Sequence, residues 1–123
     1  MRAIIIAAGS GIRLRPYTEE IPKCLIEVVG KPIIQWQLEI FRKLGFDDIA
    51  LVRGWKKEKV NLPGLTYFDN DDFKNNNVLH SLFYARDFMD SSFIFSYSDI
   101  IYDEAIVRSL VDSPGGIGVV VDT

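Results

Sequence analysis

One cysteine and one histidine stand among 123 residues. A single thiol, Cys24, forms no internal disulfide and fits a reducing, cytoplasmic setting. His80 sits inside a helical pattern with no cysteine or second histidine beside it, so it reads as structural or surface rather than as a metal ligand. No apolar run is long enough for a membrane span, and no signal-peptide layout opens the chain. An excess of positive charge is also missing. Fourteen Lys and Arg face 17 Asp and Glu for a net charge of −3, which argues against a nucleic-acid surface. Internal repeats and low-complexity segments are absent. What remains is a globular chain, 48% hydrophobic, with enough residues for one small domain and a core.

Against this sparse background the stretch Gly9–Lys23 stands out. It follows Ala3-Ile4-Ile5-Ile6-Ala7-Ala8, an apolar run of the kind buried in a parallel sheet. Gly9 and Gly11 let backbone N–H groups approach a phosphate with no Cβ in the way. Arg13, Arg15 and Lys23 add positive charge to the same loop. Anion binding at the carboxyl end of a strand is the physical reading. The loop is not a P-loop, because no Gly-Lys-Ser/Thr closes it. Nor is it a dinucleotide fingerprint, because Leu14 stands where the third glycine belongs. Pro16 and Pro22 oppose helix through it.

The rest of the chain alternates strand and helix signals. Leu25–Val28 is apolar enough for a short strand, Gly30 turns the chain, and Pro32 suits the first turn of a helix. Ile34, Leu38, Phe41 and Leu44 recur at helical spacing, Gln35, Glu39, Arg42 and Lys43 face out, and Gly45 ends the helix. Strands follow at Asp48–Arg53, Leu65–Phe68 and Ser92–Tyr97, with a short helix at Lys56–Val60. A helical pattern places Val78, Leu82, Ala85 and Met89 on one face. Asp103 and Glu104 open a last helix whose apolar face is Ile106, Val107, Leu110 and Val111. Gly118–Val121 reads as a buried strand. This alternation predicts an α/β three-layer sandwich with a mainly parallel sheet and right-handed crossovers.

The pattern Ala7-Ala8-Gly9-x-Gly11-x-Arg13-Leu14-x-Pro16-x-Thr18-x-x-x-Pro22-Lys23-x-Leu25-x-x-Val28-x-x-Lys31-Pro32-Ile33 resembles the signature of the sugar-phosphate nucleotidyltransferase superfamily. The resemblance implies a Rossmann-like domain of the nucleotide-diphospho-sugar transferase type. It also implies nucleotidyl transfer from a nucleoside triphosphate to a phosphorylated acceptor, with Mg²⁺. It covers the whole chain but only the first half of the family's domain, so residues 1–123 are expected to be the N-terminal, nucleotide-binding part of one larger domain. The final strand is expected to leave an apolar edge that invites association, including homo-oligomers.

Nucleotidyl transfer is an in-line displacement at the α-phosphorus, with the acceptor oxyanion as nucleophile and pyrophosphate leaving. It requires charge neutralisation and alignment rather than an enzyme nucleophile. Arg13 is the candidate for the β- and γ-phosphates, since a guanidinium fork matches phosphate oxygens. Lys23 is the candidate for the α-phosphate. The resemblance places the family's arginine and lysine at these two positions, and Ala7, Ala8, Gly9 and Gly11 in the nucleotide-binding loop. Arg15 falls at a variable position and reads as solvated. Asp99, at the end of the fourth strand, is the candidate Mg²⁺ ligand, with a turn or cap residue as its alternative. The family's aspartate there usually follows glycine, whereas Ser98 precedes it here.

Asn76-Asn77-Val78-Leu79-His80-Ser81-Leu82 resembles the phosphocholine and 2-aminoethylphosphonate cytidylyltransferase branch. That favours CTP and makes Asn76, Asn77 and Ser81 nucleotide-binding candidates, with helix capping an equal alternative for the asparagines. Trp55 reads as a core or rim residue, with stacking on a base or an ammonium group as the sharper option. A sugar-1-phosphate acceptor, and a nucleotide-binding portion without turnover of its own, stand as alternatives for the function.

Overall fold

The computed structural model describes residues 2–7, 21–54, 56–70, 85–86, 93–98, 100 and 102–112. Its centre is β1 (Arg2–Ala7), whose residues Ile4 and Ile5 point to opposite faces and are both fully buried. A strand with water on neither side needs apolar residues on both, which is why this segment reads as a run rather than an alternation. β4 (Asp48–Arg53) and β6 (Phe93–Tyr97) lie parallel to β1 on either side of it, and β5 (Thr66–Asp69) lies parallel outside β4. The sheet order is β5-β4-β1-β6. Arg2 pairs across to Asp48 at the amino end, with an ion pair of 3.5 Å.

Each face of the sheet has its own core. On one, Ala3, Ile5, Ile49 and Leu51 pack with Ile34, Leu38 and Phe41 of α1 (Ile33–Lys43) and Val107 of α2 (Glu104–Val111). On the other, Ile4, Ile6, Ala50 and Val52 pack with Ala85, flanked by Phe68, Phe93 and Phe95. The layered α/β class expected from the alternation of elements therefore holds. The expected helix around Val78–Met89 and the strand at Gly118–Val121 lie outside the described residues, apart from buried Ala85 and exposed Arg86.

Several boundaries differ from expectation. The strand placed at Leu25–Val28 is a 3₁₀ turn at Lys23–Leu25 followed by a two-residue strand, β2 (Glu27–Val28), paired antiparallel with β3 (Lys31–Pro32). Cys24 and Pro22 are buried, so the chain turns inward there before it can extend. Val29 and Gly30 both have positive φ, 53° and 77°, in the two-residue hairpin loop. Pro32 precedes the helix rather than opening it. The short helix placed at Lys56–Val60 is a 3₁₀ turn at Lys57–Lys59. On α2, Val107 alone is buried, while Ile106 and Val111 are exposed. Asp103 caps that helix by accepting from Ile106 N at 3.0 Å.

Candidate functional site

The order β5-β4-β1-β6 reverses direction at β1, since the chain winds outward through β4 and β5 and then returns to β6 on the far side. Such a reversal leaves a crevice between the carboxyl ends of the two strands that flank it, with no crossover covering it. Those strands are β1 and β6. Their ladder runs to Ile6 opposite Tyr97, and Ser98 N donates to Ile6 O at 3.1 Å. The chain thus leaves the sheet side by side at Ala7 and Ser98, both buried. One exit leads to the glycine-rich basic loop and the other to Asp99.

Of the candidate residues, Ala7 is described and ends β1. Lys23 is described in its backbone, at the start of the 3₁₀ turn, where Leu25 N donates to Pro22 O at 3.0 Å. Cys24 packs into the core beside Ile34 and Leu38, as its alternation predicts. Burial pushes its thiol up to about 12, so it stays protonated and is no nucleophile at neutral pH. Ala8, Gly9, Gly11, Arg13, Asn76, Asn77, Ser81 and Asp99, with Trp55 and His80, lie outside the described residues. Among the described residues no group of three or more His, Cys, Asp or Glu could hold a metal ion. A single carboxylate beyond β6 nevertheless fits a magnesium–triphosphate, because Mg²⁺ takes one or two protein carboxylates and fills its octahedron with phosphate and water.

Two side chains near this rim were not singled out in the sequence. Gln37, fully buried on α1, donates from Nε2 to Tyr97 O at 2.8 Å and to Ile100 O at 2.7 Å. Its position on the stripe Ile34, Gln37, Leu38, Phe41 was a readable signal, since a polar residue there must find partners. Arg53, opposite Ala7 at the end of β4, grips Asp69 through Nε at 2.8 Å and Nη2 at 3.3 Å. It also donates from Nη1 to Val60 O at 2.9 Å and lies 4.0 Å over the Tyr67 ring. This cation is committed to holding β4 to β5 and to the Lys57–Lys59 turn.

Among the described residues no helix is long and apolar enough to cross a membrane. A family model for the MobA-like NTP transferase domain matches residues 3–122. The CTP:phosphoglutamine cytidylyltransferase of Campylobacter jejuni is 35% identical over 99% of this chain and 53% of its own length. The bifunctional protein GlmU of Methanocaldococcus jannaschii is 34% identical over 98% of this chain and 33% of its own. The CTP:phosphocholine cytidylyltransferase structure from Streptococcus pneumoniae superposes with a TM-score of 0.76, at 34% identity, over 80% of this chain and 44% of that one. The chain spans about half the length of the cytidylyltransferases it matches. With the signature loop leaving β1 and a carboxylate following β6 across the switch point, the chain belongs to the MobA-like NTP transferase domain family.

Proposed function

We propose that this chain supplies the nucleotide-binding half of a cytidylyltransferase, which moves CMP from CTP to a small phosphorylated or phosphonate acceptor and releases pyrophosphate. The observation that carries this reading is the adjacency of the β1 and β6 exits at the switch point. In sequence these exits are followed by the basic glycine loop and by Asp99, which this reading assigns to the two sides of one crevice. The identity to cytidylyltransferases over nearly the whole chain supports the choice of base.

In this reading Gly9 and Gly11 present backbone N–H groups to the phosphates, and Arg13 holds the β- and γ-phosphates. Lys23 faces the α-phosphate, where charge grows as the acceptor attacks. Asp99 is the protein ligand for Mg²⁺, which when bound neutralises the triphosphate and polarises the phosphorus. Asn76, Asn77 and Ser81 read the pyrimidine edge.

The experiment is pyrophosphate release by the full-length protein with each of CTP, UTP, ATP and GTP, against phosphocholine, 2-aminoethylphosphonate and a sugar 1-phosphate. Turnover with CTP is expected. Preference for UTP with a sugar 1-phosphate would instead support the second reading, which the similarity to the UTP–glucose-1-phosphate uridylyltransferase AglF of Haloferax volcanii favours. Tight nucleotide binding with no pyrophosphate from any pairing would leave a binding module.

A further inference from the structure

The turn after β6 is held by an unusual concentration of side-chain bonds. The Tyr97 carbonyl accepts from Gln37 Nε2 at 2.8 Å and from Ser96 Oγ at 2.9 Å. Ser96 Oγ also lies 2.9 Å from the Tyr102 hydroxyl. With its own proton on the Tyr97 carbonyl, Ser96 accepts from Tyr102. The second N–H of Gln37 reaches Ile100 O at 2.7 Å. One amide from α1 therefore bonds the backbone on both sides of position 99.

The same amide leaves its acceptor stranded. Gln37 Oε1 is buried with no hydrogen-bond partner among the described residues. Rotating the amide would not relieve this, because it would turn Oε1 toward two carbonyl oxygens. An orphaned buried acceptor is destabilising, and an apolar side chain of similar shape would avoid that cost. The arrangement makes sense where two donors on this one turn matter more than a satisfied amide.

We propose that Gln37 is a positioning residue for nucleotidyl transfer. By clamping Tyr97 O and Ile100 O to α1, it sets the backbone from which Asp99 meets the metal–triphosphate. The proposal rests on the reading of Asp99 as metal ligand given above. α1 also packs Ile34 and Leu38 against Cys24, next to Lys23. A single helix thereby references both the cationic and the anionic side of the crevice.

The test uses Mn²⁺ in place of Mg²⁺ and follows its binding with CTP by electron paramagnetic resonance in the full-length protein. Metal-free CTP binding is measured beside it by calorimetry in chelator. Gln37→Met should weaken Mn²⁺ binding about tenfold and lower kcat by about 10- to 100-fold, the scale expected when a reacting group is displaced by around an ångström. Metal-free CTP affinity should stay within about twofold of the parent's, the size of change expected where no contact to the bound molecule is lost. Asp99→Asn should reproduce the metal loss, and the double variant should be no worse than Asp99→Asn alone.

Unchanged Mn²⁺ affinity in Gln37→Met, with Asp99→Asn defective, would reduce Gln37 to a core residue. Unchanged affinity in Asp99→Asn would overturn the metal-ligand reading and the positioning role together. Should Gln37→Met fail to fold, Gln37→Glu decides. Its carboxyl can donate one bond only when protonated, so its Mn²⁺ affinity relative to the parent protein should recover as pH falls from 8 to 6. A flat ratio would overturn the proposal.

Discussion

At the scale of single residues, the two cations of the signature loop should separate kinetically if they hold the roles proposed above for a CTP-dependent reaction. Arg13→Ala removes a contact to phosphates already charged in the ground state, so KM for CTP should rise with kcat little changed. Lys23→Ala removes a charge that opposes one growing in the transition state, so kcat should fall by about 10²–10³-fold at near-constant KM. Steady-state kinetics on the full-length protein checks both, and equal small changes in kcat and KM for Lys23→Ala would reject its assignment. These assignments come from an ordered motif; Arg13 lies outside the described residues, and Lys23 is described in its backbone. The place of Gln37 on a buried stripe was readable, but its partners and those of Arg53 were not, because they are backbone carbonyls and a carboxylate 7 to 63 residues distant, which no local pattern records.

At the scale of elements, the β2–β3 hairpin carries a local conflict. Val29 holds φ at 53° although its side chain is β-branched, and it is 88% exposed, so no packing offsets the strain. Left-handed backbone costs an L-residue about 1–2 kcal/mol, and asparagine before glycine suits a turn with two positive φ values. Val29→Asn should therefore stabilise the protein by about 1 kcal/mol. The check is a higher urea midpoint at unchanged m-value. Strands β1 and β4 were legible because burial on both faces demands continuous apolar runs. The turn at Lys23–Leu25 was not, because Cys24 and Leu25 satisfy an apolar strand pattern equally well and only the inward packing of Pro22 and Cys24 decides against it. The apolar face of α2 was overread for a related reason. Helical spacing identifies a stripe, and only the width of the surface it meets decides how much is covered, here Val107 with Leu110 half-buried.

At the scale of the whole molecule, stability should fall on the alkaline side. Burial raises Cys24 from 9.0 to about 12, and burial also raises Tyr102 from 10.0 to about 12 despite its bond to Ser96. Both groups hold their protons in the folded state at pH values where the unfolded chain releases them. Their contribution is therefore complete below about pH 9 and is lost as pH rises from there toward 12. For Cys24 the loss approaches about 1.4 kcal/mol per pH unit. Urea midpoints from pH 8 to 10.5 should decline, and Cys24→Ala should flatten the decline while lowering the plateau. The parallel sheet has a further consequence in time. β1 precedes β4, β5 and β6 in the chain, yet one of its two ladders is completed only by Phe93–Tyr97. Until those residues are available, a strand apolar from Ala3 to Ala7 keeps an open edge, exposed to pairing with a neighbour of its own kind. Closing it requires joining segments some 90 residues apart, which is slow because loop-closure entropy must be met before any contact rewards it. The strand at the switch point is thus also where the nascent protein is most exposed to aggregation, and chaperone dependence during synthesis is the expected cost of a central strand made before its partners.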